Sequence, residues 1–496
     1  MDLVIRGATV YDGSGGPARV CDVGVSSGRI AAIGDLVAER ASLSVDAAGL
    51  ALAPGFIDVH SHDDFAVFLM PEMDFKVGQG VTTDVVGNCG LGAAPFGSAR
   101  AYLAFFGADR RRESLPVWDD YVGYLDAVDA DPPSLNVAVL VGHGTSRLDA
   151  MGNDRRGATD GELARMADTL ATGLDAGCVG FSTGLIYEPG RYANTEELIA
   201  LARVMAGTGG VYATHMRDEG IGLLGAVAEA ISIGEQSGVP VQISHHKASS
   251  RAAWGLVGES LALIDAARAR GIDVTADQYP YTAGSTSLFA VVQNAEEGPS
   301  GVGDTDWNAI VIASAPGHPE WEGHSIADLA ARLARTPQDA AKMVVDVEGY
   351  GAVVIIHSMD EADVRTVMAH PTTMIGSDGI PTLAGKPHPR LYGTFARVLG
   401  YYTRDEHVLS LDQAVHRMTG MPAAKFGLAD RGIIKERAWA DLVLFDPAAI
   451  NDIATYESPR RHPSGIRTVW VNGTAVMHEG HHTGERPGRA LRRRVG

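Results

Sequence analysis

Leu52-Ala-Pro-Gly-Phe-Ile-Asp-Val59 is an apolar run that stops at His60-Ser61-His62, and this junction decides the fold class. In an extended chain alternate side chains share a face, so His60 and His62 point the same way and Ser61 points away. A strand that ends in two imidazoles on one face is how a parallel barrel offers a pair of metal ligands at its mouth. The triplet alone is also compatible with two polar histidines in a loop. Further ligand types at other strand ends, Cys89, His215, His245 and Asp378, tip the reading towards metal.

Working outward, β-like runs alternate with helical patterns, which predicts an α/β chain with a parallel (β/α)8 TIM-like barrel. The strand candidates are residues 56–59, 82–86, 136–141, 179–182, 211–214, 241–244, 273–276, 353–356 and 373–376. That is one more than a barrel holds. The last place goes to 373–376, and 353–356 is read as an accessory strand. Thr159-Asp-Gly-Glu162 heads an amphipathic stripe as a capping box, and Asn194 and Ser410 open helices in the same way. Residues from about 289 to 342, including Asn294-Ala-Glu-Glu-Gly-Pro-Ser-Gly301, interrupt the alternation. An insertion of that length between barrel strands is expected to cover an active site.

Both ends of the chain carry short β runs, among them Leu3-Val-Ile5, Asp22-Val-Gly-Val25, Ala440-Asp-Leu-Val-Leu-Phe445 and Arg467-Thr-Val-Trp-Val471. Neither end can bury a β face alone, so residues 1–53 and 430–486 are expected to combine into one small β-domain. Residues 54–429 then form the barrel between them. The tail, with Arg489 and Arg492 to Arg494, reads as a solvated basic run.

Of 496 residues, 45% are hydrophobic and 21% charged, with a net charge of −20. That composition describes a well-packed globule and argues against nucleic acid or an anionic membrane as partner. No stretch is long and apolar enough to span a bilayer, and no basic leader precedes the first strand. Cys21, Cys89 and Cys178 cannot form a closed disulfide framework, which suits a reducing compartment, with the cytoplasm as the default.

Cys89 lies in Val81-Thr-Thr-Asp-Val-Val-Gly-Asn-Cys-Gly-Leu-Gly92, a strand ending in a glycine-flanked thiol. It could serve as a thiolate ligand, a nucleophile or a buried structural thiol. His215 and His245 each follow an apolar strand, and Asp378 stands in Ser377-Asp-Gly379, where a base beside a metal would be needed. Lys247 and Arg390 would bring local positive charge to an acidic protein.

The ligand pattern resembles the amidohydrolase superfamily and, within it, the N-acyl-D-amino-acid deacylases (D-aminoacylases). The resemblance rests on Pro54-Gly-Phe-Ile-Asp-Val-His-Ser-His-Asp-Asp64, Gly87-Asn-Cys-Gly90, Gly180-Phe-Ser-Thr-Gly-Leu-Ile-Tyr-Glu-Pro-Gly190, Thr214-His-Met-Arg217, Ile243-Ser-His-His-Lys247, Tyr279-Pro-Tyr-Thr-Ala-Gly-Ser285, Ser377-Asp-Gly379 and His388-Pro-Arg390. It implies a zinc enzyme in which Cys89, His215 and His245 hold one tight metal. His60, His62 and Asp378 would flank a second, weaker position that shares Cys89. His245 rather than His246 is the ligand, because the family pattern places it directly after the serine. The carboxylated lysine of many superfamily members has no counterpart on the fourth strand, as in the cysteine-based subgroup.

The resemblance further implies hydrolysis of N-acyl-D-amino acids, with Asp378 shuttling the proton. Lys247, Arg390, Tyr187, Tyr279 and Ser285 would hold the substrate near its α-carboxylate. Three rivals share parts of this pattern: another cyclic-amide or dipeptide amidohydrolase, a non-catalytic scaffold of the same fold, and a thiol hydrolase using Cys89. The full set of His60, His62, Cys89, His215, His245 and Asp378 speaks against the scaffold, and several strand-end histidines favour a metal over a thiol nucleophile.

Overall fold

In a computed structural model, which describes residues 1–106, 114–297 and 305–493, the run before His60 divides at Gly55 into two short strands of different sheets. The first half closes a series of N-terminal strands: β1 (Leu3–Val10), β2 (Arg19–Ser26), β3 (Arg29–Gly34), β4 (Leu43–Asp46) and β5 (Ala51–Pro54). The second half, β6 (Phe56–Asp58), begins the barrel. It continues through β7 (Val81–Val86), β8 (Asn136–Gly142), β9 (Gly180–Gly184), β10 (Val211–His215), β11 (Val241–Ile243) and β12 (Val274–Gln278).

After β12 the chain leaves the barrel for an antiparallel sheet of its own, β13 (Ala283–Ser287), β14 (Ile310–Ser314) and β15 (Val353–His357), with β15 in the middle. Three helices, Leu288–Glu297, Ile326–Leu333 and Pro337–Glu348, accompany it. This sheet begins before residue 289 and ends after residue 342, because its first and last strands in the chain, β13 and β15, pair across some seventy positions, a non-local match that no local pattern announces. The segment Gly298-Pro-Ser-Gly301 of the interrupting stretch lies outside the described residues. The barrel resumes with β16 (Thr373–Ile375), which pairs with β12, so all eight barrel strands are parallel.

The chain then returns to the first sheet through β17 (Leu442–Phe445), β18 (Ile466–Val471), β19 (Thr474–His478) and β20 (His481–His482). Strand β17 pairs antiparallel with β5, with Val443 opposite Ala53, so the two ends of the chain meet in one nine-stranded sheet. Neither half would bury its apolar face without the other.

Inside the barrel Ile57, Val59, Val85, Ala138, Leu140, Val179, Val211, Ala213 and Met374 fill the axis, and Phe426 and Leu428 plug the lower end. That packing leaves the upper strand ends as the place for polar groups. The helix over Asp160–Ala176 opens with the capping box of Thr159 and Glu162, and Asn194 caps the helix over Thr195–Val204. The basic tail is not free in solvent. Leu491 donates to the Val137 carbonyl, and Arg492 pairs with Asp126 and Asp129 at 2.8 and 2.5 Å, so acidic partners elsewhere in the chain recruit it. Arg494 lies outside the described residues. Among the described residues no helix is long and apolar enough to cross a membrane.

Terminal sheet and barrel are joined at Asp441, which forms a buried ion pair with Arg431 and accepts hydrogen bonds from Asn472 N at 2.7 Å and from Asn136 of β8 at 3.4 Å. Asp441→Ala would strand a buried guanidinium and is expected to cost about 3–5 kcal/mol in denaturant unfolding. Asp430→Ala, which removes only exposed pairs, should cost no more than about 1 kcal/mol.

Candidate metal centre

Six donors come from five strand ends. His60 and His62 follow β6, Cys89 follows β7, His215 is the last residue of β10, His245 lies just beyond β11, and Asp378 lies just beyond β16. Three of them occupy the left-handed region: Cys89 at φ 55°, His245 at φ 35° and Asp378 at φ 50°. This conformation costs a non-glycine residue about 1 kcal/mol or more, and it recurs where surrounding structure holds a functional side chain in place. Here it turns each side chain back over the barrel mouth instead of letting the strand carry it outward. The Cys89 turn packs so tightly on β9 that a Cβ on Gly184 would stand 2.1 Å from the Cys89 carbonyl oxygen. That contact explains a glycine at the end of β9.

Around Cys89 Sγ stand His60 Nε2 at 3.3 Å, His245 Nε2 at 3.6 Å and His215 Nδ1 at 3.8 Å. A tetrahedral ion with spokes of about 2.3 Å to sulfur and 2.0–2.1 Å to nitrogen spaces those ligand atoms about 3.6 Å apart. The observed sulfur–nitrogen spacings bracket that value, and the donor atoms of Cys89, His60 and His245 all lie within 4.8 Å of one another, as a zinc-like cation requires, while those of His215 group with Glu219 and His245. Those of His60, His62 and Asp378 form a third such group. Asp378 Oδ1 lies 3.2 Å from His62 Nε2 and 3.5 Å from His60 Nε2, and its Oδ2 lies 2.9 Å from Arg390 Nη1.

Charge organises the cluster. Burial works against ionising Cys89, yet His60 and the hydrogen bonds from His215, His245 and His60 hold its thiol well below the ordinary range, which favours the thiolate. Burial likewise opposes the Asp378 carboxylate, but Arg390, His60 and His245 hold it well below the ordinary carboxylate range. Against burial, hydrogen bonds with Asp378 and Cys89 push His62 up to about 9. The anions thus demand positive charge, which protons on these imidazoles or a bound cation can supply.

Behind the donors stand two further carboxylates, Glu219 and Asp277. Glu219 lies 2.8 Å from His245 Nδ1, 3.9 Å from His215 Nε2 and 2.6 Å from Lys247 Nζ. Asp277, beside the end of β12, sits 3.2 Å from His60 Nδ1 and accepts from His245 N at 2.7 Å. Carboxylates in this position fix the tautomer and orientation of metal-binding imidazoles. Glu219 could have been noticed four residues after His215. His246 turns away to Ser260 Oγ at 2.9 Å, and burial lowers its pKa to about 4. His143 pairs with Glu197 at 2.9 Å and stays outside the cluster.

The remaining candidates gather on one side. Tyr279 lies beneath both cations, with the Arg390 guanidinium 4.5 Å and Lys247 Nζ 5.8 Å from its ring centre. Arg390 Nη2 donates to the Ser285 carbonyl of β13 at 3.2 Å, while its buried Nε has no hydrogen-bond partner. The Tyr187 ring meets His215 edge-on, and its hydroxyl is 3.0 Å from Thr286 Oγ1, so it ties the inserted sheet to the barrel mouth. His388 accepts from Arg390 N and therefore presents Nε2–H to the Ala283 carbonyl, a second tie to the insert.

Comparison with known proteins agrees with this geometry. The sequence profile of the amidohydrolase family matches residues 44–359 and 258–477. The chain is 44% identical to an N-acyl-D-glutamate deacylase of Alcaligenes xylosoxydans xylosoxydans, over 99% of this chain and 97% of that protein. It is 43% identical to a D-aminoacylase of the same organism, over 99% and 98%. Among solved structures, the N-acyl-D-glutamate deacylase of Bordetella bronchiseptica, complexed with zinc and a phosphonate mimic of the tetrahedral intermediate, superposes with a TM-score of 0.91 at 42% identity, covering 99% of each chain. Through a matched profile and full-length identity to such enzymes, the chain belongs to the amidohydrolase family, in its D-aminoacylase group.

Proposed function

We propose that the protein hydrolyses the amide bond of N-acyl-D-amino acids, releasing a D-amino acid and a carboxylate, at a zinc centre. The observation that carries this reading is the buried Cys89 sulfur, met by imidazoles from three other strand ends. Cys89, His215 and His245 would hold the tight zinc, and His60, His62 and Asp378 a weaker second position that shares Cys89. When bound, zinc supplies the Lewis acidity that activates water near neutral pH and polarises an amide carbonyl. Asp378, kept ionised by Arg390, takes the water's proton on Oδ1 and returns it to the departing amine. Glu219 and Asp277 keep the imidazoles oriented. With its cysteines unpaired, the protein suits the cytoplasm.

Lys247 and the free Arg390 Nε bind the substrate α-carboxylate, with Tyr279 bracing both cations. Ser285 and Tyr187 line the same edge. With the carboxylate fixed at one end and the carbonyl at the other, only one enantiomer can seat its side chain, and the relatives indicate the D form. The loop after Ser285 and the insert would set which side chain is accepted.

N-acetyl-D-methionine and N-acetyl-D-leucine should be cleaved at least about a hundredfold more efficiently than their L-isomers and methyl esters. Ninhydrin assay of the released amino acid measures this. Equal rates on D- and L-isomers would overturn the binding scheme. Asp378→Asn should keep the tight zinc and lose about 10²–10⁴-fold in kcat.

A further inference from the structure

The barrel has one weak seam. Among the described residues no ladder joins β16 to β6; the contact there is a single bridge between Ser61 and Gly379, with Asp378 N donating to the His60 carbonyl at 2.7 Å and His62 N to the Gly379 carbonyl at 3.2 Å. Backbones approach so closely that a Cβ on Gly376 would stand 2.7 Å from the His60 Cβ. His60, His62 and Asp378 all sit on this seam, so its width sets the distance between the imidazole pair and the proposed base.

Directly beneath lies Lys76, fully buried on the short helix Asp74–Val77. Its ammonium donates to Asp58 Oδ2 of β6 at 2.5 Å and to Ser377 Oγ, after β16, at 2.9 Å. Asp58 Oδ1 in turn accepts Ser377 N at 2.8 Å and His60 N at 3.2 Å, and Ser377 Oγ accepts Gly379 N at 3.0 Å. Two more buried carboxylates surround the ammonium, Asp63 at 3.1 Å and Asp84 at 3.8 Å. Burial, with Asp63 and Asp58 alongside, pushes the Asp84 carboxyl well above the ordinary carboxylate range against the pull of Lys76.

We infer that Lys76 is a positioning residue for the reaction: with Asp58 it replaces the missing ladder between β6 and β16 and holds the left-handed turn at Asp378 at a fixed distance from His60 and His62. This inference rests on the proposed function and assigns Lys76 no contact with substrate. A charge-neutralising role alone would be met by any change that removes the surplus carboxylates. A positioning role would not, because the ammonium's bridge from Asp58 to Ser377 Oγ would still be gone.

The triple variant Lys76→Met, Asp63→Asn, Asp84→Asn separates the two. It removes the buried ammonium together with the two surplus carboxylates and leaves Asp58. The folded variant should keep about one tight zinc per chain and a KM for N-acetyl-D-methionine within about threefold, while kcat falls at least about tenfold. In equilibrium dialysis its affinity for a second zinc should fall by about tenfold. Ser377→Ala, which removes one Lys76 partner without changing charge, should lower kcat about threefold or more with the tight zinc retained. A folded triple variant with kcat and second-zinc affinity within about threefold of the parent would overturn the inference. If the triple variant does not fold, an unchanged kcat for Ser377→Ala overturns it. Absence of turnover by the unaltered protein would instead reject the proposed function.

Discussion

A buried cysteine sulfur surrounded by imidazoles is the constraint on which the site depends. Removing Cys89 from water would ordinarily favour the neutral thiol, and His60, His215 and His245, reaching it from three other strands, pull it towards the thiolate. Each imidazole is then held from behind by Asp277 or Glu219. Barrel curvature makes the convergence possible, since residues distant in sequence finish their strands around one mouth. The left-handed turns at Cys89, His245 and Asp378 complete it by aiming the side chains inward.

Much of this was legible in the sequence because the relevant signals are local. The alternation of His60 and His62, the glycine-flanked Cys89 and the apolar runs before His215 and His245 are all read within a few residues. The eight barrel strands fall where the apolar runs stand, and the accessory run at 353–356 pairs within the inserted sheet instead.

What escaped notice depends on partners far along the chain. Asp277 and Glu219 look like ordinary acids until the histidines they orient are placed beside them. Lys76, in an unremarkable Asp-Phe-Lys-Val stretch, reads as surface charge by default, yet it is fully buried because Asp58, Asp63 and Asp84 enclose it. Arg492 looked solvated for the same reason, its partners Asp126 and Asp129 lying more than 360 residues earlier. Charge complementarity across such separations leaves no periodic trace in sequence.

The central claim is that Cys89 binds the metal directly rather than acting as a nucleophile beside it. Zinc K-edge X-ray absorption of the purified protein carrying one zinc per chain tests this most directly. The account predicts one sulfur neighbour at about 2.3 Å together with imidazole nitrogens at about 2.0–2.1 Å, and loss of the sulfur shell in Cys89→Ser. A coordination shell of nitrogen and oxygen alone in the unaltered protein would contradict it.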